Sequence, residues 1–226
     1  MKTVSIIIPV YNEENTIAEI IKRVKNAESW KLEKEIIVVN DGSIDKTGEI
    51  LKKIKGITLL MHEKNKGKGS AIRTGLQHAH GEVFIIQDAD LELNPAEYPL
   101  LLEPILKNNA KIVYGSRYLK NKYVNLLSML ANVAVTQTAN ILYGLKITDE
   151  ATGYKVFTRE VLENITLTCT RFEFCPEFTA KIAKKGYTIK EVPVTYNYRR
   201  PDEGKKVGWR DGFEALWTLL KYKFIE

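Results

Sequence analysis

The sequence of 226 residues predicts an α/β fold with a mainly parallel central sheet flanked by helices. Three observations lead there. Short apolar, β-branched runs recur through the first half of the chain, segments with helical spacing separate them, and a cluster of polar residues follows each run. Strands alternating with helices of about ten to fifteen residues are the pattern of βαβ units, whose crossovers make neighbouring strands parallel.

In chain order, strands are expected at Val4–Val10, Glu35–Asn40, Ile57–His62, Val83–Gln87 and Lys111–Tyr114. Helices are expected between them at Glu14–Lys25, Lys46–Lys55, Ser70–His80 and Pro95–Asn108. Asn94 followed by Pro95 is a helix start, because the amide oxygen satisfies a free N–H and proline has none to lose. From Arg117 the rhythm changes. A long apolar-polar helix is expected over Val124–Leu145, then a glycine-containing segment Thr152–Phe157 and a helix around Pro176–Lys185. Two short strands separated by Pro193 come next, and an amphipathic helix over Trp209–Tyr222 ends the chain. No repeat or low-complexity linker interrupts this order, so residues 1–226 read as one domain with a C-terminal elaboration.

Composition narrows the classes. With 44% hydrophobic and 27% charged residues the chain can bury a core, which excludes a disordered protein. Cys169 and Cys175 form no CxxC pair and read as free thiols in a reducing compartment, and the N-terminus has no signal-peptide pattern. Val124–Leu145 carries no charge but contains three asparagines and a glutamine, which fits an interfacial or packed helix better than a membrane span. The expectation is a cytoplasmic protein that touches the cytoplasmic face of a membrane. The net charge of +6 lies wholly beyond Ser116, since residues 1–116 hold 16 basic and 16 acidic side chains. An anionic partner for the second half follows from that asymmetry. Nucleic acid is disfavoured, because neither an aromatic-basic platform nor a helix-turn-helix pattern is present.

In a parallel sheet, ligands bind beyond the carboxyl ends of the strands. Those ends carry Pro9-Val-Tyr-Asn-Glu13, Asn40-Asp-Gly-Ser43, His62 to Gly69, Asp88-Ala-Asp90 and Gly115-Ser-Arg117. In an extended segment Asp88 and Asp90 would project to one side, with small Ala89 between them and Glu92 as a third oxygen donor if the extension continues. Hard carboxylate oxygens suit Mg²⁺ or Mn²⁺. An acidic turn capping the next helix is the competing reading, and Asn94 already supplies that cap. The Lys64–Gly69 loop lacks the Walker A spacer and the third glycine of a dinucleotide fingerprint. Its Lys68 would meet a diphosphate or belong to a solvated basic turn.

The ordered set of these motifs resembles a known family. After the five above stand Thr148-Asp-Glu-Ala-Thr-Gly-Tyr-Lys-Val-Phe157, Glu191-Val-Pro-Val-Thr-Tyr196 and Glu203-Gly-Lys-Lys206. Together they are similar to family 2 inverting glycosyltransferases with the GT-A fold, nearest the dolichyl- or polyprenyl-phosphate mannose synthases. The resemblance implies a nucleoside-diphosphate-sugar site at Pro9, Tyr11, Glu13, Val39 and Asp41, and metal and diphosphate contacts at Asp88, Ala89 and Asp90 with Glu92 as third ligand. It places basic contacts at Arg117, Arg199 and Lys205, with Asp90, Arg117 and Lys205 as the catalytic set. It further implies transfer of a hexose, mannose from GDP-mannose first and glucose or N-acetylhexosamine from UDP donors next, to a lipid phosphate. Three departures stand out: Glu92 where many relatives have Gln, no arginine in the helix after Arg117, and no transmembrane helices before the chain ends at Glu226.

Charge building up on the departing nucleoside diphosphate would be stabilised by a divalent ion and cationic side chains. A lipid phosphate is already ionised and needs no general base, whereas a sugar hydroxyl would need one, for which Asp149 and Glu150 are the nearest acids. Arg199–Gly208 reads as a basic flap closing over phosphates, or as a solvated loop. The helices at Val124–Leu145 and Trp209–Phe224 would rest on the membrane or pack as core, and a separate membrane subunit would be a further partner.

Overall fold

The computed structural model describes residues 1–120, 126–198 and 209–225. Among them seven strands form one sheet in the order β3-β2-β1-β4-β6-β5-β7. β1 (Thr3–Val10) is central, parallel to β2 (Glu33–Asn40) on one side and to β4 (Val83–Ile86) on the other. β3 (Thr58–Met61) extends β2 in parallel, and β7 (Ile189–Pro193) extends β5 (Ile112–Ser116).

Both faces of the sheet are covered, which is why its strands are apolar at successive positions rather than alternating. Val4, Ile6, Ile8 and Val10 of β1 point into one core, closed by α1 (Ile17–Asn26), α2 (Thr47–Lys53) and α4 (Tyr98–Asn108). Ile7, with Ile37 and Val39 of β2, points into the other, closed by α3 (Lys68–Gln77), α6 (Arg159–Glu163) and α7 (Phe174–Lys184). Gly75 lets α3 lie close, since a Cβ there would stand 2.5 Å from Ile7. A smaller core joins α5 (Leu126–Tyr143), α7 and α8 (Trp209–Phe224) through Val135, Ala139, Ala180, Leu219 and Tyr222. At the expected helix start Asn94 accepts a hydrogen bond from Ala96 N–H, and Pro95 opens a short 3₁₀ turn leading into α4.

The expected strands and helices of the first half are present, with ends shifted by up to three residues. Three features depart from expectation. Lys155–Thr158 is a strand, β6, inserted antiparallel between β4 and β5. Of the two short strands expected on either side of Pro193 only the first is seen among the described residues, as β7, which ends at Pro193, and beyond it a bridge joins Tyr196 to Leu93. Pro193 is tolerated because β7 is the edge. Asp88-Ala-Asp90 is a bend rather than extended chain, and Leu91 takes a left-handed conformation with φ of 65°. The start of the long helix at Val124 and the flap at 199–208 lie outside the described residues. No described helix is long and apolar enough to cross a membrane.

Candidate active site

The loops at the carboxyl ends of β1 and β2 are laced together. Asn12 N–H donates to Ser43 Oγ at 3.0 Å and Ile44 N–H to Asn12 Oδ1 at 2.9 Å, while Ser43 N–H donates to Asn40 Oδ1. Asn12 reaches this position with φ of 49°, a left-handed geometry that asparagine adopts more readily than most residues. Glu13 is buried, takes a hydrogen bond from Thr16 Oγ1 and anchors its own N–H on Thr47. Pro9 is buried at the end of β1, and Tyr11 is half-buried beside it. The other two expected nucleotide residues are buried. Val39 is fully enclosed and packs under α3, so its side chain belongs to the core rather than to a pocket wall. Asp41 is almost completely buried and its carboxylate serves the following loop, accepting from Lys66 N–H, Gly67 N–H and His62 Nδ1.

At the end of β4, Asp88 pairs with Lys68 at 2.5 Å. Gly153 makes room for that carboxylate, for a Cβ there would stand 2.3 Å from Asp88 Oδ2. Burial, then the charges of Asp88 and Glu92, push the Asp90 carboxyl up to about 7. Ala89 between them is buried. Because Leu91 turns the chain left-handed, Glu92 leaves the row expected of it. Its carboxylate accepts a 2.6 Å bond from Tyr196 Oη, and burial together with that acid pushes the Tyr196 phenol up. Among the described residues no group of three His, Cys, Asp or Glu side chains stands ready-made around a metal, and the Glu92 carboxylate is held by Tyr196. What fits a divalent ion is the Asp88–Asp90 pair: hard oxygens in a partly dehydrated site, one of which resists ionising because of burial and its acidic neighbours. Two carboxylates completed by substrate phosphates are an ordinary environment for Mg²⁺.

Arg117, at the end of β5, is not a solvated cation awaiting a phosphate. Its Nε and Nη2 form a bidentate pair with Asp149, both at 2.7 Å, and its backbone N–H adds a third bond at 2.9 Å. Asn132 from α5 donates to the same carboxylate at 2.9 Å, and the Tyr196 ring lies 5.0 Å from the guanidinium carbon. Burial raises the Asp149 carboxyl, but the neighbouring Arg117 charge and these hydrogen bonds outweigh it and hold it below the ordinary range. Glu150 is also fully buried, with Thr179 Oγ1 donating to one oxygen, and burial pushes its carboxyl up. Of the two acids named for a hydroxyl acceptor, Asp149 is thus bonded to Arg117 and Glu150 to Thr179 of α7. Lys155, unforeseen as a buried residue, donates to the carbonyls of Glu150 and Thr152 and lies 3.9 Å from the Tyr114 ring. Arg199 and Lys205 lie outside the described residues.

Comparison with known proteins bears on the family and the fold. The model of Glycosyl transferase family 2 matches residues 5–166. The chain is 33% identical to the dolichol-phosphate mannosyltransferase of Pyrococcus furiosus, over 97% of its own length and 64% of that protein. It is 28% identical to the UDP-N-acetylglucosamine–dolichyl-phosphate N-acetylglucosaminyltransferase of Methanococcus voltae, over 98% of its length and 96% of that protein. Glucosyl-3-phosphoglycerate synthase from Mycobacterium tuberculosis, solved with Mn²⁺, UDP and phosphoglyceric acid, superposes with a TM-score of 0.78 at 21% identity, covering 100% of this chain and 80% of that one. That likeness makes the fold GT-A. A family match that runs from the first strand through the Asp88–Asp90 bend to the Arg117–Asp149 pair leaves one conclusion: the chain belongs to glycosyl transferase family 2.

Proposed function

We propose that this protein transfers a hexose from a nucleoside-diphosphate sugar to a polyprenyl phosphate such as dolichyl phosphate, with inversion at the anomeric carbon. Mannose from GDP-mannose is the first donor, and a UDP-sugar is the alternative favoured by the Methanococcus voltae relative. The observation that carries the reading is the Asp88–Asp90 acid pair, with Lys68 on Asp88, beside the loops that end β1 and β2. Pro9, Tyr11 and Glu13 lie where the nucleoside would sit, and Asp88 and Asp90 would hold Mg²⁺ or Mn²⁺. That ion, when bound, neutralises charge on the departing nucleoside diphosphate.

Lys68 would exchange its bond to Asp88 for a diphosphate oxygen, and Arg117 would offer acceptor or diphosphate the guanidinium donors that Asp149 does not use. Lys205 and Arg199 would supply further cations. A lipid phosphate suits a cleft whose two nearest acids are engaged elsewhere, because an ionised nucleophile needs positioning rather than deprotonation.

A peripheral membrane position accords with α5 and α8. Exposed Leu130, Val133 and Ile141 line the outer face of uncharged α5, and Phe213, Trp217, Leu220 and Phe224 recur at helical spacing on α8. Exposed Lys184, Lys185, Lys221 and Lys223 cluster around the C-terminal end of α8. Apolar stripes rimmed by lysine match an anionic leaflet, on the cytoplasmic side, with or without a membrane subunit as partner.

The deciding experiment combines purified protein, Mg²⁺ or Mn²⁺, a short-chain polyprenyl phosphate and a panel of GDP-mannose, UDP-glucose and UDP-N-acetylglucosamine. A lipid-linked sugar from one donor is expected, lost on Asp90→Asn. No lipid product from any donor would overturn the proposal.

A further inference from the structure

We infer that Asp41 is a positioning residue, whose carboxylate fastens the Lys66–Gly67 turn so that Lys68 is delivered to Asp88. The role of Lys68 rests on the glycosyl-transfer reading above; the fastening itself does not.

The His62–Gly69 loop matches no standard phosphate-binding pattern, yet it is held from two sides. From β2, Asp41 Oδ1 accepts Lys66 N–H at 2.9 Å and Oδ2 accepts Gly67 N–H at 2.8 Å. Asp41 is fixed in turn by His62, whose Nδ1 lies 2.6 Å from Oδ1 and whose Nε2 lies 3.0 Å from Thr74 Oγ1. The neutral ring satisfies both contacts when Nδ1 donates to the carboxylate and Nε2 accepts from threonine. His62 is itself placed by its N–H on the Asn40 carbonyl, at the end of β2.

From the opposite side, Gly69 N–H donates to the Arg171 carbonyl at 3.0 Å and Ser70 N–H to that of Thr170 at 2.9 Å. The fit is close. Gly67 has φ of +96°, and a Cβ there would stand 2.3 Å from the Thr170 carbonyl oxygen. Between these clamps lies Lys68, the first residue of α3, with its ammonium on Asp88 and the Phe172 ring 6.0 Å away.

Of the roughly four acceptor sites of this carboxylate, 2% exposed, three are taken by the loop and its histidine. The effect of Asp41 on catalysis thus runs through the backbone to Lys68. In Asp41→Asn the amide must turn its NH₂ toward one of the loop N–H groups, opposing donor to donor and releasing at least one of them.

The test compares wild type, Asp41→Asn, Lys68→Met and the double variant, each checked for folding by thermal denaturation. Amide hydrogen exchange without ligand is read first by NMR. Lys66 and Gly67 amides are expected to exchange roughly tenfold faster or more in Asp41→Asn and at the wild-type rate in Lys68→Met. Unchanged exchange in Asp41→Asn overturns the fastening. Calorimetric binding of Mn²⁺ with GDP and Mn²⁺ with UDP, and turnover of whichever sugar nucleotide is productive, are read second. Asp41→Asn is expected to lower kcat/KM roughly tenfold in the Lys68 background and less than about twofold in the Lys68→Met background. Equal losses in both backgrounds overturn the route through Lys68 and return Asp41 to the base. Should Asp41→Asn fail to fold, His62→Gln, which removes one support and keeps the charge, gives the same comparisons with smaller effects. If wild type binds neither nucleotide, the glycosyl-transfer reading falls, and the exchange measurement still decides whether Asp41 fastens the turn.

Discussion

Replacing Asp149 with asparagine should cost stability on the order of 3–5 kcal/mol, a large share of the roughly 5–15 kcal/mol by which a folded domain is stable. The carboxylate accepts Arg117 N–H and Nε on Oδ2, and Arg117 Nη2 and Asn132 Nδ2 on Oδ1. In asparagine one of those oxygens becomes an NH₂, so in either orientation two donors face a third. The substitution also strips the counter-charge from an arginine that is only 20% exposed, and an uncompensated buried charge is the costlier loss. Urea denaturation of wild type and Asp149→Asn, followed by far-UV circular dichroism at neutral pH, measures the difference. The double variant Arg117→Met, Asp149→Leu removes both charges and should be less destabilised than Asp149→Asn alone. A loss below about 1 kcal/mol for Asp149→Asn, or a double variant worse than the single, would refute the account of a mutually dependent pair.

Three further outcomes are expected. Glu177 is buried, which opposes ionisation, but bonds from Lys181, Thr168 and the Cys169 N–H hold its carboxyl at about 2 against an ordinary 4.5. A depressed acid contributes stability above its unfolded value, so wild type should lose on the order of 3 kcal/mol between pH 5 and 2, and Glu177→Gln should lose less over that range in urea midpoints. Gly153→Ala places a methyl 2.3 Å from Asp88 Oδ2, so Asp88 must move, and calorimetry should show Mn²⁺ affinity reduced about tenfold while the melting temperature shifts little. Phe213→Asp with Trp217→Asp should abolish sedimentation with vesicles rich in anionic lipid without altering the circular dichroism spectrum; undiminished binding would move the membrane contact elsewhere.

What could be read from the amino-acid order was local. The runs of β1, β2 and β4 are apolar on both faces, so their burial and parallel pairing announce themselves, and Asn94-Pro95 marks its helix by chemistry alone. β6 escaped because only Val156 and Phe157 are apolar in it, too short a run to declare a period, and its pairing comes from strands more than forty residues earlier in the chain. Lys155 reads as a surface residue until two carbonyls and a tyrosine ring converge on its ammonium. Within the site, Asp88 and Asp90 were visible as a spacing, but the bond from Tyr196 to Glu92 was not, because nothing in a leucine signals the left-handed turn before it. The Arg117–Asp149 pair spans thirty-two residues, and only the closed sheet reveals that the family's cation and the nearest acid hold each other.

That pairing changes the meaning of the uneven charge. The excess of cations beyond Ser116 suggested a half of the molecule turned toward an anion. Yet Arg117 is held by Asp149, Lys181 by Glu177, Lys155 by carbonyls, and Arg159 by the carbonyls of Ala79 and Gly81. The carboxylates of Asp149 and Glu177 cancel the charges of Arg117 and Lys181 at a distance, whereas the carbonyls around Lys155 and Arg159 solvate those cations without neutralising them. Among the described residues one group of exposed lysines lies where α7 and α8 end, with Lys184 bonded to the Ile225 carbonyl and Lys221 and Lys223 beside the apolar row that ends at Phe224. On the proposed function, an anionic acceptor headgroup and an anionic leaflet would call on different cations. Removing Lys221 and Lys223 should weaken vesicle binding and its salt dependence while leaving turnover of a soluble short-chain acceptor intact, whereas removing Arg117 should do the reverse.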